Sequence, residues 1–229
     1  MKCYIVAGSR PWNRLVFDEF LRHLPGQWHF VSSPAELSAS LAQVARPRFI
    51  FFLHWSSRVP AEYHQQHECV CFHMTDVPYG RGGSPLQNLI IRGHRETKLT
   101  ALRMVEELDA GPVYAKAPLS LEGSAEEIYL RADRLAVELI RKIVAEEMTP
   151  VPQSGVPVVF SRRKPEESLL PADSTELASL HDFIRMLDAE GYPKAFLDHG
   201  PFRFEFQRSS LHRGKIRAEV TITRRQDPD

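Results

Sequence analysis

The chain has 229 residues, which is enough for one large domain or for a domain with a small appendage. Lys and Arg together number 29, as do Asp and Glu, so the net charge is zero and the attraction that drives nonspecific nucleic-acid binding is missing. No apolar run approaches the roughly 20 residues that cross a bilayer, and three cysteines, an odd number, argue against a disulfide framework and fit a cytoplasmic protein.

Short apolar strands alternate with amphipathic helices in the first third of the chain. Strands are predicted over residues 4–7, 28–31, 49–53 and 69–72, and the run 49–53 is apolar on both faces, as in a strand covered by helices on both sides. Helices are predicted from Pro11, from Pro34 and over residues 59–66. This order predicts a doubly wound α/β fold with a Rossmann-like, mostly parallel sheet.

The rest of the chain continues this pattern and then changes in composition. A helix from Pro85, strands over 98–105 and 112–119, and a long helix after a Ser124/Glu127 capping box are predicted. Prolines and a basic triplet then mark residues 149–171 as a boundary. We therefore predict one domain over 1–150 and, over 151–229, a linker, a helix and a β-hairpin. In the predicted hairpin, phenylalanines alternate with charged residues, which indicates a homodimer interface or a lid over the substrate.

Three candidate segments fall at the carboxyl ends of predicted parallel strands, where such sheets bind ligands: Gly8-Ser9, His54-Trp55 and His73. A loop rich in Gly and Pro follows His73, which indicates a backbone that meets a ligand. Asp109 lies in a second Gly-containing turn. A histidine and a carboxylate from different loops can form an acid–base pair, so the sequence predicts a site around His73 and Asp109.

A metal site is an alternative interpretation of the same region. His64, His67, Cys69, Cys71 and His73 cluster in sequence, and the last three share one strand face because side chains alternate. Three such ligands could hold zinc for a hydrolytic reaction. The spacing matches no standard zinc module, however, and buried cysteines commonly act as small hydrophobes. We therefore assign no metal.

Residues 73–111 resemble the signature of the folate-dependent formyltransferase family, His-x-Ser-Leu-Leu-Pro-x-x-Arg-Gly-x-x-Pro, then a helix, Thr-Gly-Val-Thr and Leu-Asp-x-Gly. The matching residues are His73, Pro78, Arg81, Gly82, Pro85, Thr97, Thr100, Leu108, Asp109 and Gly111. The resemblance covers roughly residues 1–145. Residues 162–168, 180–185 and 192–196 are similar to the linker and helix of sugar formyltransferases. The nearest branch is the short formyltransferases of pathways that make nonulosonic sugars of the pseudaminic-acid type.

The resemblance implies a formyltransferase that uses N10-formyltetrahydrofolate as co-substrate and acts on the primary amine of a nucleotide-activated amino sugar in bacterial surface-glycan biosynthesis. By resemblance, His73 is proton shuttle and oxyanion donor, and Asp109 is the carboxylate that orients it. The implied folate contacts are Trp55, Ser56, Arg58, Val59, Glu107 and Leu108. The implied substrate contacts are Ser9, Arg10, Asn13, Tyr79, Arg81 and Gly82, with Arg10 and Arg81 facing a phosphate.

One departure concerns the residue two positions before the histidine. The family has Asn there, whose amide polarises the formyl oxygen, whereas this chain has Cys71, a weak hydrogen-bond donor. Losing one oxyanion donor costs about 100- to 1000-fold in rate, so we predict a replacement, either Asn88 or a backbone N–H. A catalytically lapsed binder of folate or a nucleotide sugar is the alternative. Transfer RNA is disfavoured as substrate because only a short hairpin, not a basic domain, follows.

Overall fold

The computed structural model describes residues 1–44 and 46–225, in two compact units. The first unit comprises Met1–Gly82, Thr97–Leu119 and Leu130–Val159, and the second comprises Gly83–Glu96, Ser120–Tyr129 and Phe160–Asp229. Two segments that precede residue 150 belong to the second unit, and the division into domains over 1–150 and 151–229 stays a prediction.

Eleven strands and six α-helices are formed by the described residues. The strands are β1 (Cys3–Gly8), β2 (Gln27–Val31), β3 (Phe49–Leu53), β4 (Cys69–His73), β5 (Tyr79–Gly82), β6 (Glu96–Arg103), β7 (Val113–Ser120), β8 (Val158–Phe160), β9 (Ala195–His199), β10 (Phe202–His212) and β11 (Lys215–Arg224). The helices are α1 (Pro11–Val16), α2 (Pro34–Gln43), α3 (Ala61–Gln66), α4 (Pro85–Ile91), α5 (Ala125–Glu146) and α6 (Leu177–Arg185). None of these described helices is long and apolar enough to span a bilayer.

The main sheet has six strands in the order β2-β1-β3-β4-β6-β7. Its first four strands run parallel, and β6 is antiparallel to β4. Every residue of β3 is buried, as expected for a strand that is apolar on both faces. The prediction of a doubly wound, mostly parallel α/β sheet is confirmed, and the carboxyl ends of β1, β3 and β4 share one edge.

Three short strands, β5, β8 and β9, are not predicted by the sequence. β5 and β8 form a two-stranded sheet, and the Val158 N–H also donates to the Pro78 carbonyl oxygen at 3.0 Å. The segment expected to be an open loop is therefore partly ordered by backbone pairing. β9 extends the predicted hairpin to a three-stranded antiparallel sheet, in the order β11-β10-β9. Runs this short carry little periodic signal.

Candidate active site

His73 is the last residue of β4, and its side chain is buried. Its Nε2 lies 2.8 Å from the carbonyl oxygen of Gly80, and its Nδ1 lies 3.5 Å from Asp109 Oδ2. Because a carbonyl oxygen only accepts hydrogen bonds, the contact with Gly80 requires the hydrogen on Nε2. Nδ1, at the longer distance, is therefore the ring nitrogen that faces the Asp109 carboxylate.

Asp109 is held toward His73 by the shape of its turn. Its backbone has a φ of 54°, in the left-handed region that Asp tolerates better than most residues. The backbone N–H of Gly82 donates to Asp109 Oδ2 at 2.9 Å. At Gly111 an added Cβ would lie 1.8 Å from the carbonyl oxygen of Arg103, so this position excludes any side chain. The two residues predicted from separate loops thus meet within the first unit.

Gln153 is a residue of this site that the sequence does not reveal. Its side-chain NH2 group donates to the carbonyl oxygens of Asp109 and Gly111, at 2.7 and 2.8 Å. Its Oε1 accepts from Arg81 Nε and Arg81 Nη2, at 3.1 and 2.9 Å. The side-chain amide of Gln153 therefore links the turn around Asp109 to β5 through hydrogen bonds. Gln153 stands between a proline and a serine in the segment expected to be a linker, and no motif or periodicity marks it.

Cys71 and its neighbours do not form the zinc site considered above. The Cys71 thiol donates to the carbonyl oxygen of Leu102, with a sulfur–oxygen distance of 3.8 Å. Desolvation and the nearby Asp109 carboxylate raise the pKa of the Cys71 thiol, and desolvation raises the pKa of Cys69 to about 12. Within residues 1–44 and 46–225, no three His, Cys, Asp or Glu side chains are arranged to hold a metal ion.

Asn88, a predicted replacement for the missing oxyanion donor, has its amide engaged by backbone. Its side-chain nitrogen lies 3.0–3.1 Å from the carbonyl oxygens of Gly83, Ser84 and Ser161, and its Oδ1 accepts from Arg92 at 2.8 Å. Both amide hydrogens are therefore engaged inside the second unit. These contacts stabilise the backbone around the start of α4 and give the catalytic role of Asn88 no support, so that role stays a prediction.

The implied folate contacts fall into two groups, all in the first unit. Two of them pack against a hydrophobic cluster that includes Ile50 and Phe52: Trp55 and Val59. Four are exposed: Ser56, Arg58, Glu107 and Leu108. The ring of Trp55 meets that of Phe52 edge to face, with centroids 5.7 Å apart. The ring of Trp55 therefore packs against the core of this unit, while the exposed four remain accessible to a ligand.

The implied substrate contacts are likewise divided. Ser9 is exposed, and Arg10, Tyr79, Arg81 and Gly82 are partly exposed. Arg81 Nη1 donates to Glu107 Oε1 at 3.2 Å, in addition to the hydrogen bonds that Arg81 makes with Gln153. Asn13, however, is fully buried, and its Nδ2 donates to Asp133 Oδ2 at 2.5 Å. This burial and this bond give no support to Asn13 as a substrate contact, and that assignment stays a prediction.

Comparisons with known proteins point to one enzyme family. The family model described as "Methionyl-tRNA formyltransferase, C-terminal domain" matches residues 165–223. A solved structure described as methionyl-tRNA formyltransferase from Clostridium thermocellum is 39% identical, with a TM-score of 0.93 over 98% of this chain and 100% of that chain. A 4-N formyltransferase from Francisella tularensis, 16% identical, shares the fold with a TM-score of 0.65 over 86% of this chain and 92% of its own.

A curated relative gives a partial match. The methionyl-tRNA formyltransferase of Lactobacillus gasseri is 27% identical over 187 residues, which is 76% of this chain and 59% of that protein. The chain spans about half the length of the curated relatives that it matches.

Proposed function

Because the chain belongs to the folate-dependent formyltransferase family, as its motif predicted, we propose that it transfers a formyl group from N10-formyltetrahydrofolate to a primary amine. The observation that carries this proposal is the buried pair of His73 Nδ1 and Asp109 Oδ2, 3.5 Å apart at the carboxyl end of β4. An imidazole and a carboxylate at a ligand-binding edge supply the proton transfers that acyl transfer to an amine requires.

The reaction moves one proton for each formyl group. The amine nitrogen attacks the formyl carbon, negative charge develops on the formyl oxygen, and N10 of tetrahydrofolate leaves after it gains a proton. His73 is suited to donate from Nδ1 and to recover a proton there, because Gly80 holds the hydrogen on Nε2. Asp109, opposite Nδ1, balances the positive charge that His73 carries while the proton is in transit. A backbone N–H is the remaining candidate for the oxyanion donor that Cys71 does not provide.

The acceptor in this proposal is a nucleotide-activated amino sugar. The net charge of zero lacks the positive excess that binding a long RNA backbone favours, which supports a small acceptor. Arg10 and Arg81 are the side chains proposed to face its phosphates. Methionyl-tRNA is a second candidate, favoured by the descriptions of the C-terminal family model and of the Clostridium thermocellum structure. The cytoplasmic location and the homodimer remain predictions.

A panel of acceptors tests this proposal. Purified protein is incubated with N10-formyltetrahydrofolate and either nucleotide-linked amino sugars or methionyl-tRNA, and products are analysed by mass spectrometry for the gain of one CO. We expect formylation of an amino sugar. Formylation of the transfer RNA alone would replace the proposed acceptor by the second candidate. Binding of tetrahydrofolate without turnover of any amine would contradict the enzymatic proposal and favour a lapsed binder.

Replacing Gln153 with methionine is expected to lower kcat about 10- to 100-fold, because displacements of about 1 Å at a catalytic group cause losses of this size. Methionine keeps the length of the side chain but makes none of the four hydrogen bonds that join Asp109, Gly111 and Arg81. The measurement is single-turnover formyl transfer. Gln65→Met, at an exposed position of α3, is the matched control. Equal rates in both variants would show that Gln153 does not position Asp109.

A further inference from the structure

Two buried threonines lie close to His73 and have no part in the steps described above. Thr75 and Thr100 are both 0% exposed, and both belong to the first unit. Thr100 stands opposite His73 in the pairing of β6 with β4, and Thr75 follows His73 by two residues. A buried hydroxyl needs a hydrogen-bond partner, and both hydroxyls find theirs in the segment that follows His73.

The carbonyl oxygen of Gly80 accepts hydrogen bonds from two side chains. His73 Nε2 donates to it at 2.8 Å, and Thr75 Oγ1 donates to it at 3.2 Å. A carbonyl oxygen has two lone pairs, so it can accept both bonds at once. The Thr75 hydroxyl therefore holds the same atom that keeps a hydrogen on Nε2 of His73.

The backbone of Gly80 does not by itself fix the direction of this carbonyl. Its φ is 79°, and a residue without a Cβ moves among many combinations of φ and ψ at little cost. A hydrogen bond from a buried side chain limits that freedom. Thr75 is held in turn, because Thr100 Oγ1 donates to the Thr75 carbonyl oxygen at 2.7 Å. The two hydroxyls thus link β6, through Thr75, to the carbonyl of Gly80.

Ion pairs hold the same segment at its surface. Asp76 lies 2.9 Å from Lys98 Nζ and 2.5 Å from Lys116 Nζ, and Lys116 also donates to the Val77 carbonyl oxygen at 2.6 Å. The side chains of Asp76 and Lys98 are 44% and 48% exposed, and ion pairs this exposed contribute little because water screens them. The buried hydroxyls are therefore the stronger determinants of where the Gly80 carbonyl lies.

Two acceptors compete for the single N–H hydrogen of a neutral His73 ring. The Gly80 carbonyl favours hydrogen on Nε2, whereas the Asp109 carboxylate, 3.5 Å from Nδ1, favours hydrogen on Nδ1. A neutral ring with its hydrogen on Nδ1 has no lone pair there, so it could not take up a proton opposite Asp109. A carboxylate is the stronger acceptor, and it would win the hydrogen if the Gly80 carbonyl turned away.

We propose that Thr75, supported by Thr100, is a positioning residue for His73. Its hydroxyl holds the Gly80 carbonyl against Nε2 and thereby keeps the Nδ1 lone pair available for the proton; this inference rests on the proposed formyl transfer. The two threonines transfer no proton themselves and act only through the tautomer of His73. Loss of the Thr75 hydroxyl therefore lowers kcat and leaves folate binding unchanged.

Thr75→Val and Thr75→Ser form a matched pair of variants, because valine keeps the branched shape without the hydroxyl and serine keeps the hydroxyl. In Thr75→Val, kcat for formyl transfer is expected to fall about 10-fold, the equivalent of one ordinary hydrogen bond. The Kd for tetrahydrofolate, followed by tryptophan fluorescence, should stay within about twofold. Thr75→Ser should keep kcat within about threefold of the unmodified value. Thr221→Val, at an exposed position of β11, is the control and should change neither quantity.

Nitrogen-15 NMR of the ligand-free protein tests the tautomer directly. At about pH 8.5, where an ordinary imidazole is neutral, the spectrum separates ring nitrogens that carry a hydrogen from those that bear a lone pair. The His73 signals are those missing from the spectrum of His73→Ala. We expect a hydrogen on Nε2 and a lone pair on Nδ1 in the unmodified protein. In Thr75→Val the two signals should move toward one another as the second tautomer becomes populated.

Three results would overturn the proposal: hydrogen on Nδ1 in the unmodified protein, unchanged His73 signals in Thr75→Val, or a loss of kcat in Thr75→Ser as large as that in Thr75→Val. If Thr75→Val does not fold, Thr100→Val takes its place, since it loses only the bond to the Thr75 carbonyl oxygen and should shift the same signals. The NMR measurement needs neither folate nor an amine. A panel in which no amine is formylated would therefore overturn the proposed function and leave the tautomer result standing.

Discussion

Substitution of His73 by alanine is expected to lower kcat for formyl transfer about 100- to 10,000-fold, the contribution of a well-positioned acid–base group. Alanine offers no atom that can take the place of Nδ1 opposite Asp109. The measurement is steady-state kinetics with N10-formyltetrahydrofolate and the acceptor identified by the panel. His29→Ala removes an exposed imidazole from β2 and should retain the full rate.

The fold is expected to survive the loss of the His73 ring. The substitution removes one hydrogen bond to the Gly80 carbonyl oxygen, worth about 0.5–1.5 kcal/mol, and Thr75 Oγ1 still donates to that oxygen at 3.2 Å. Such a loss is tolerable for a domain of ordinary stability. Thermal unfolding followed by circular dichroism checks this point. A folded His73→Ala protein with an unchanged rate would remove His73 from the mechanism and, with it, the site proposed at the end of β4.

Asp109→Asn is the second change with a large expected effect, a loss of about 100- to 10,000-fold in kcat. Asn tolerates the left-handed backbone at this position, where φ is 54°, and it retains one oxygen that can accept from the Gly82 N–H. The substitution therefore removes the negative charge opposite His73 with little change in shape. Loss of that charge destabilises the imidazolium form through which the proton passes.

The kinetic pattern distinguishes this role of Asp109 from a role in binding. The Kd for tetrahydrofolate should stay within about threefold of the unmodified value while kcat falls, because an interaction made only in the transition state is lost. Asp173→Asn, an exposed carboxylate in the second unit, is the matched control. If Asp109→Asn raised the Kd for folate and left kcat intact, Asp109 would be a binding residue and not the partner of His73.

The proximity of His73 and Asp109 was predictable because the signals that mark them are local. His73 ends a short apolar strand, and Asp109 precedes a glycine that has no room for a side chain. Such features are visible in a few consecutive residues, so both the sheet edge and the acid–base pair follow from the order of strands and turns. The spacing of the surrounding motif then indicated the family.

The supporting residues were not predictable in the same way. Asn88 has the side chain that an oxyanion donor needs, yet the carbonyl oxygens around it engage its amide, and one of them belongs to Ser161. Gln153 is 44 residues from Asp109, and Asn13 is 120 residues from Asp133. No local pattern encodes a partner so distant, because a side-chain hydrogen bond depends on where the folded chain brings the other atom.

The sequence by itself determined the parallel α/β sheet, and it predicted the edge at which a ligand binds and the histidine and aspartate there. These inferences depend on periodicity and on turn chemistry over a few residues. Only the tertiary structure decided that Gln153 holds the turn around Asp109 and that the amides of Asn88 and Asn13 are engaged by carbonyl and carboxylate oxygens. Burial and pairing of a polar side chain are set by segments far away in the chain, so they are fixed only when the whole unit has folded.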